Sequence, residues 1–455
     1  MKKMIAILFS LLLLLTIPIQ SFAATLDDVK MIVENDYVGK IDGNIESATS
    51  IEEIIEMLDP YSAYFTKAEF ESFTKAIDMT TVGIGVVIEK HEKGTLIVDV
   101  IENGSAKKAG VVPGDIIVGV NGQSVVDLSI EQTQALILGD VNTTVEIKFL
   151  KEDGSTVTKT ITRTSFSLPN VTSRLLYGNV GYISLSSFSD DGVQLIINAY
   201  NLLKKQGATS YILDLQNNGG GYVTTAEKLI GLFPNAPYAY KLKLTTETYT
   251  ERSISQNVKF PQNTRVLVNR FSASASEMTA AALLDQDAAI VYGEQTYGKG
   301  SMQSFYQLED GSYLKLTIAE FFGPKGTAVN GVGLKPDIIT TSDPIYKAHL
   351  DSFAKNLSNY KERKALVNVP TSKTFTITFN HPINKTVAPK AVELVELGGN
   401  TVEVALEAKN NQLLVKPVKP LKAGAEYVLI VHPTLQDQNG KPLKPGEYLH
   451  VTVKK

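Results

Sequence analysis

The segment Ser210-Tyr-Ile-Leu-Asp-Leu-Gln-Asn-Asn-Gly-Gly-Gly221 places three consecutive glycines directly after a short apolar run. A run of this length that ends at a turn predicts a buried strand. Residues 224–232 carry apolar side chains at helical spacing and predict a helix after the turn. A strand, a turn and a helix form the repeating unit of α/β domains, whose ligands bind at the carboxyl ends of the strands.

The same unit recurs before and after this segment. The predicted repeats are a strand at 180–185 with a helix at 192–205, a strand at 264–269 with a helix around Ala280, and a strand at 288–292 with a second glycine-rich turn. Crossovers of this length join parallel strands. Residues from about 165 to 365 are therefore expected to form a mostly parallel sheet covered by helices.

The sequence on either side of this α/β section has a different character. Residues 24–80 carry apolar side chains at helical spacing. From Thr81 the chain is rich in short strands, with hairpin turns predicted at Asn121-Gly122 and Asp153-Gly154. Residues 368–455 again alternate short strands with Gly, Pro and Asn turns, which is typical of a small β-sandwich.

The composition excludes several classes of protein and site. The 455 residues contain 44 Lys and Arg against 48 Asp and Glu, so no basic excess indicates nucleic-acid binding. The sequence has no cysteine, which excludes disulfides, thiolate metal sites and cysteine nucleophiles. The histidines show no metal-binding spacing, and neither a metal ion nor another cofactor is expected. Because no histidine lies between His91 and His349, an active site in the α/β section needs another base.

The first residues predict export. Lys2 and Lys3 precede an apolar run at 5–15, and Ser21-Phe22-Ala23 supplies small residues before a cleavage site after Ala23. We interpret residues 1–23 as a signal peptide, and we expect the mature chain outside the cell or associated with the cell wall or membrane surface. The alternative is an uncleaved anchor, but the apolar run is short for a membrane span.

Two turns of the α/β section contain groups that could take part in binding or catalysis. The amides of 219–221 can converge on an anion, although three glycines also permit a tight turn without any such role. Ser274 precedes the helix around Ala280, where a hydroxyl can attack a carbonyl while helix N-terminal amides stabilise the oxyanion. Ser274 is equally explained as a helix N-cap, because Ser274 and Glu277 have the capping-box spacing.

Lys299 in the third turn allows two hypotheses of different classes. Residues 293–299 match a phosphate-binding loop, but Gly300 stands where Ser or Thr is required, and 301–308 predict a strand instead of a helix. In the other hypothesis, Lys299 is the base of a serine hydrolase, which requires burial that keeps its amine largely neutral. Gln303 would then orient the amine without restoring its charge.

Several segments together resemble the carboxyl-terminal processing peptidases, the tail-specific serine proteases of peptidase family S41. The matching segments, in the family's order, are Leu58-Asp59-Pro60-Tyr61-Ser62, Gly83-Ile84-Gly85-Val86, 213–221, 271–277, 298–303 and 331–337. They cover residues 24 to about 345. Two positions depart from the family pattern, because Leu138 and Gln216 stand where relatives often carry arginine.

The resemblance implies a multidomain α/β fold. Its implied parts are a helical N-terminal segment at 24–80, a PDZ domain of the β-sandwich or barrel type at 81–163, an α/β protease core of the ClpP/crotonase type at 164–365, and a C-terminal β-sandwich at 368–455. The last of these resembles the bacterial Ig-like domains, of the SbsA type, of surface-layer and wall proteins.

The resemblance also implies a serine-type endopeptidase that works through an acyl-enzyme. Ser274 would be the nucleophile, Lys299 the general base and Gln303 the residue that positions the lysine. The N–H groups of Ala275 and Gly220 would form the oxyanion hole.

The PDZ resemblance implies the binding partners. The loop residues Gly83, Ile84, Gly85 and Val86 would hold the C-terminal carboxylate of a protein or peptide substrate. Envelope contact through 368–455 and homodimer formation are further implied associations. The alternative from another class is a catalytically silent scaffold that uses its PDZ and Ig-like modules for binding at the cell envelope.

Overall fold

The computed structural model describes residues 26–455 apart from 102–103, 129, 385 and 388. The predicted signal peptide at 1–23 lies outside the described residues. The chain divides into two compact units, one running to Glu71 and including Gln303–Ile318, the other formed by Ser72–Met302 and Ala319–Lys455. In the part described, no helix is both long and apolar enough to cross a bilayer.

The first unit is built from short helices and strand segments. Its elements are helices Leu26–Asp36 and Ile51–Glu56, the 3-10 turn Ile45–Ser47 and strand Ala63–Phe65, which pairs antiparallel with 313–315. Helix Lys67–Ile77 begins in this unit. Val29, Val33 and Ile54 are buried against Leu314 and Leu316, so the predicted apolar spacing does mark the inward helix faces.

The β-rich section after Thr81 forms an antiparallel sheet. Its strands are Val86–His91, Gly94–Val100, Ile116–Val120, Gln123–Ser124, Thr144–Leu150 and Thr156–Thr162, with helices Ser105–Lys108 and Ile130–Ile137. Asn121 and Gly122 have φ of 48° and 80°, and both positive values fit the predicted hairpin turn. Val86–His91 lies at one edge of this sheet.

The predicted ends of the PDZ segment are tied to each other. Strand Thr80–Gly83 pairs antiparallel with Thr164–Ser167, and Gly83 lies opposite Thr164. This two-stranded ribbon contains residues from both sides of the boundaries predicted at 80/81 and 163/164. Gly83, predicted to be a loop residue, is the last residue of its first strand.

The α/β section contains the predicted mostly parallel sheet. In spatial order its strands are Val171–Leu176, Val180–Leu185, Ser210–Asp214, Arg265–Val268, Ile290–Gly293 and Ile338–Ile339. Only the first pair is antiparallel. The helices are Gly192–Lys205, Val223–Ile230, Ala275–Asp285 and Pro344–Phe353. Outside this sheet, strand Tyr238–Lys243 pairs antiparallel with strand Thr248–Arg252 and with the C-terminal end of strand Tyr313–Phe322. Ser301–Gln307 forms a further strand.

The tail is a two-sheet sandwich. One sheet contains Lys361–Glu362, Leu366–Val369, Glu447–Val453, Glu426–Val431, Val392–Glu396 and Thr401–Val402, and the other contains Phe375–Thr378, Gln412–Pro417 and Val404–Lys409. Short 3-10 turns occur at Ala354–Leu357 and Pro389–Ala391. Apolar residues from both sheets, including Phe375, Leu413, Tyr427 and Val451, are buried between them.

The tail sandwich is docked on the α/β section. The Tyr177 N–H donates to Gly399 O at 3.0 Å, and the Asn400 side-chain amide donates to Leu175 O at 3.0 Å. The apolar part of this contact is one cluster formed by Phe353, Leu357, Val395, Leu397, Val428 and Ile430. The sandwich is therefore attached through a packed interface as well as through the chain.

His349 is fully buried and forms hydrogen bonds with both sides of this contact. The Gly398 N–H donates to its Nδ1 at 2.9 Å, so the ring proton is on Nε2, which donates to Tyr177 O at 2.9 Å. Burial lowers the pKa of His349 to about 4. Protonation would place a second N–H against the Gly398 N–H, so the docked state requires the neutral ring.

We predict that acid weakens this docking. Since the pKa of His349 falls from 6.5 unfolded to about 4 folded, the unfolded chain binds the extra proton between these values. Stability is therefore complete above pH 6.5 and is lost as pH falls towards 4, by up to about 3 kcal/mol. Thermal unfolding measured from pH 7.5 to 4 should show a steeper loss in the unsubstituted chain than in His349→Gln. His381→Gln, at an exposed position, is the control, and parallel curves for all three proteins would contradict the prediction.

Candidate active site

Three turns follow parallel strands and begin side by side. The strands end at Asp214, Val268 and Gly293, and the register pairs Asp214 with Leu267 and Val268 with Gly293. Because the carboxyl ends of parallel strands lie at one edge of a sheet, the turns carrying the glycine run, Ser274 and Lys299 meet there. The three turns that carry the candidate groups therefore lie at one edge of the sheet.

Hydrogen bonds lock the glycine turn to the serine turn. The Ser272 hydroxyl donates to Leu215 O at 2.8 Å, and the Ala273 N–H donates to Asn218 O at 3.0 Å. The Ser276 hydroxyl also donates to Asn218 O, at 2.8 Å. The two turns are therefore held as one unit at the start of helix Ala275–Asp285.

Gly220 lies directly against Ser274. Its φ is +108°, and a Cβ at this position would stand 2.8 Å from Ser274 Cβ and 3.0 Å from Ala275 N. Only glycine fits this close approach. The Gly220 N–H donates to Asn218 Oδ1 at 2.9 Å, whereas no oxygen of the described residues accepts from the Ala275 N–H. The two predicted oxyanion donors are therefore adjacent, but only the Gly220 N–H has a hydrogen-bond acceptor among the described residues.

Ser274 combines backbone strain with exposure. Its φ of 57° and ψ of −114° place a non-glycine residue in a rarely populated conformation. It is partly exposed, although every other residue of 272–283 is buried. Its position immediately before helix Ala275–Asp285 places it beside the positive end of the helix dipole.

Glu277 connects the serine turn to the lysine turn. Its fully buried carboxylate accepts from the Ser274 N–H at 3.0 Å and from the Lys299 N–H at 2.8 Å, both on Oε2. Oε1 accepts from the Gly298 N–H and the Thr296 hydroxyl, both at 2.6 Å. Because one oxygen binds both amides, the backbones of Ser274 and Lys299 are immediate neighbours. The cap and nucleophile interpretations of Ser274 are therefore compatible, since the capping partner also builds the site.

In the lysine turn, the backbone at Gly300 lies close to the backbone of Asn330. Lys299 is partly buried, and a Cβ on Gly300 would overlap the backbone of Asn330. Strand Ser301–Gln307 follows, where a phosphate-binding loop requires a helix. This geometry argues against the phosphate-loop hypothesis. Lys299 itself lies two residues before this strand.

Gln303 belongs to the first compact unit. There its side-chain amide donates to the Thr317 hydroxyl at 3.1 Å. Its predicted role beside the lysine stays a prediction.

The predicted carboxylate loop of the PDZ section is anchored by its carbonyls. Ile84 O accepts from the Ala106 N–H at 2.8 Å, and Gly85 O accepts from the Ile101 N–H at 3.0 Å. Gly85 has φ +79°, and a Cβ there would stand 2.6 Å from Gly104 Cα. Val86, predicted to be a loop residue, is the first residue of strand Val86–His91, an edge strand that can receive a further strand.

Sequence reasoning did not assign a site role to Glu277, Thr296 or Asn218. The capping-box spacing was a signal for Glu277, but only for its local role in the helix. Across the ranges described, no group of three His, Asp or Glu side chains is arranged to hold a metal ion.

A strained serine at a helix N-terminus, next to a glycine turn and a lysine turn on an α/β sheet, is an arrangement suited to a serine hydrolase.

Three family models match parts of the chain. A model of peptidase family S41 matches residues 179–340, a PDZ-domain model matches 96–151, and a bacterial Ig-like domain model matches 362–451.

The chain is also similar in sequence to known proteases. The carboxy-terminal processing protease CtpA of Bacillus subtilis is 32% identical over 325 residues, which are 71% of this chain and 68% of the relative. A probable CtpA-like serine protease of Staphylococcus haemolyticus is 32% identical over 67% of this chain and 62% of its own length. Among solved structures, the photosystem II D1 C-terminal processing protease is 24% identical with a TM-score of 0.44, over 72% of this chain and 95% of that chain.

The chain therefore belongs to peptidase family S41, the carboxy-terminal processing proteases. It is a serine-type peptidase with a PDZ domain and a bacterial Ig-like domain, and its multidomain α/β fold is the one that the sequence predicts.

We predict that Gly220→Ala destabilises the chain and removes peptidase activity. The new Cβ would overlap the serine turn and would hold alanine at positive φ, which alone costs about 1–3 kcal/mol. Gly219→Ala is the matched control, because a Cβ at Gly219 meets nothing within 4 Å. Thermal unfolding should show a lower midpoint for Gly220→Ala than for Gly219→Ala. Equal midpoints for the two variants would contradict the assigned close approach.

Proposed function

We propose that this chain is an exported endopeptidase that hydrolyses peptide bonds through an acyl-enzyme on Ser274. The observation that carries the proposal is the Glu277 Oε2 atom, which binds the Ser274 and Lys299 amides at 3.0 and 2.8 Å. It brings a strained, partly exposed serine next to a partly buried lysine in a section with no histidine between His91 and His349.

In the acylation step, Ser274 Oγ attacks the carbonyl carbon of the scissile bond while Lys299 Nζ takes the hydroxyl proton. The tetrahedral intermediate collapses, the C–N bond breaks, and Lys299 returns the proton to the leaving amine. In deacylation, water attacks the ester, Lys299 accepts the water proton and then returns it to Ser274 Oγ. The reaction needs no cofactor.

Lys299 can act as a base only when its amine is neutral. Burial of a lysine disfavours its charged form, and in this proposal a Gln303 amide orients the Lys299 amine without the charge that a carboxylate would add. In this proposal Gln303 is a positioning residue.

The oxyanion would accept hydrogen bonds from the N–H groups of Ala275 and Gly220. The Ala275 amide lies at the first position of helix Ala275–Asp285, where the helix dipole adds to its effect. The Gly220 N–H must first exchange its Asn218 Oδ1 partner for the oxyanion. Substrate binding therefore completes the oxyanion hole.

The PDZ domain would select substrates by their C-termini. Backbone amides of the loop from Gly83 to Val86 would hold the terminal carboxylate while the last residues of the substrate extend the sheet beside Val86–His91. The edge position of that strand supports this role.

We propose that the enzyme acts outside the cytoplasm. The signal-peptide pattern at 1–23 supports export, with the mature chain outside the cell or at the wall or membrane surface. The surface of the Ig-like domain that faces away from the protease core would contact the cell envelope. The enzyme would also associate into a homodimer. A catalytically silent scaffold is less well supported, because binding alone does not require the strained backbone of Ser274.

We predict that the chain from residue 24 loses at least about 1,000-fold in kcat when Ser274 becomes Ala, since the nucleophile is removed. Lys299→Met, which keeps the length of the side chain without its amine, should reduce kcat similarly, and Lys205→Met at an exposed helix end should not. The assay is cleavage of an unfolded protein, followed by mass spectrometry. Undiminished cleavage by Ser274→Ala would refute the proposed nucleophile.

We also predict that substrate capture depends on a free C-terminal carboxylate. A peptide with an amidated C-terminus should show a higher KM than the same peptide with a free terminus, because the loop amides lose their anion. Equal values of kcat/KM for the two peptides would contradict carboxylate recognition.

A further inference from the structure

The turn between the Ig-like strands Val392–Glu396 and Thr401–Val402 is fixed to the protease core. Gly398 has φ +77°, and a Cβ there would lie 3.2 Å from the side chain of Ile345. The Gly399 carbonyl and the Asn400 amide bind the backbone of the strand hairpin at Tyr177 and Leu175, each at 3.0 Å.

The same turn approaches Ile345 and Arg174, two residues associated with Tyr182. Ile345 and Tyr182 belong to one buried apolar cluster of the core. The Arg174 guanidinium lies 4.0 Å from the centre of the Tyr182 ring, and its Nη2 donates to Gly398 O at 3.4 Å. A cation over an aromatic face is attracted by the ring quadrupole.

Tyr182 in turn holds the start of the glycine turn. Its hydroxyl donates to Asp214 Oδ2 at 2.6 Å, and Asp214 Oδ1 accepts from the Gln216 N–H at 2.8 Å. Burial raises the pKa of Asp214 to about 6. Leu215, between Asp214 and Gln216, is the residue whose carbonyl accepts from Ser272 in the serine turn.

A cavity of about 490 Å³ lies between the turn and the core. Charged groups face it from each element, namely Arg174, Asp214, Asp343, Glu396 and Lys422. Lys422 is paired with Glu396 at 2.6 Å, and Asp343 accepts from the Ile345 N–H at the start of its helix. Asp214 lines this cavity, and its buried carboxylate accepts hydrogen bonds from Tyr182 and Gln216.

We propose that the Ig-like domain positions the glycine turn of the active site, acting through Gly398, Arg174 and Tyr182 on Asp214. Arg174 and Tyr182 are then positioning residues. This inference rests on the proposed function, because it assigns the Ig-like domain an effect on the oxyanion turn beside Ser274.

The test is a double-variant cycle on the full mature chain. Asn400→Ala removes one anchor of the Ig-like turn, and Tyr182→Phe removes the hydroxyl that binds Asp214 without changing the ring. Steady-state cleavage of a peptide substrate at a fixed alkaline pH gives kcat and KM, and thermal unfolding gives the midpoint. Glu407→Gln, in the other sheet of the Ig-like domain, is the control for a change that does not touch the docked face.

Each of Asn400→Ala and Tyr182→Phe should lower kcat by about threefold or more with little change in KM. The double variant should lose less than the product of the two single losses, because both act through Asp214. Glu407→Gln should leave kcat unchanged. Arg174→Gln should behave like Tyr182→Phe, and Arg174→Lys should recover part of the loss.

Two outcomes would overturn the inference. One is an unchanged kcat in both Asn400→Ala and Arg174→Gln with only a lower unfolding midpoint, which would make the contact purely structural. The other is fully multiplicative losses in the double variant. The Ser274→Ala chain, measured in parallel, separates these from failure of the proposed function, since activity that survives in Ser274→Ala refutes the nucleophile and not the coupling.

Discussion

The arrangement of this site depends on the carboxylate of Glu277. Buried charges and polar groups are retained in proteins only where hydrogen bonds compensate their lost hydration. Glu277 receives four such bonds, from Ser274, Thr296, Gly298 and Lys299. Loss of any one donor would leave a buried acceptor partly unsatisfied, which costs about 1–3 kcal/mol. The serine and lysine turns are therefore held at a common point even before substrate binds.

The sheet places these turns, and other parts of the chain hold them there. Parallel register brings the strand ends together, and the serine turn binds the glycine turn through Ser272 and Ala273. The strain at Ser274 is maintained because the buried helix Ala275–Asp285 fixes the next residue. The docked Ig-like domain adds a further contact to the same core through the turn at 397–400.

The sequence predicts those features that depend on local pattern. Helix Gly192–Lys205 has the predicted bounds because its apolar spacing is regular, and the Asn121-Gly122 turn follows from the backbone freedom of these two residues. The meeting of the three turns is predictable from strand direction alone.

Features that depend on tertiary contacts could not be predicted in this way. The pairing of Thr80–Gly83 with Thr164–Ser167 joins segments that are distant in sequence. The role of Glu277 appears only when the lysine turn is placed beside it, and the Asn218 bond to the Gly220 N–H depends on the exact path of the turn. The docking of the Ig-like domain depends on a surface of the α/β section and a surface of the Ig-like domain, and neither surface can be recognised from its own sequence.

The most direct test is to measure the rate at which a fluorophosphonate labels the chain from residue 24 and its Glu277→Gln variant, and to locate the adduct by mass spectrometry. The account predicts a single adduct on Ser274 and much slower labelling in Glu277→Gln, at a temperature where both proteins are folded. An adduct on another residue, or equal rates in the two proteins, would contradict it.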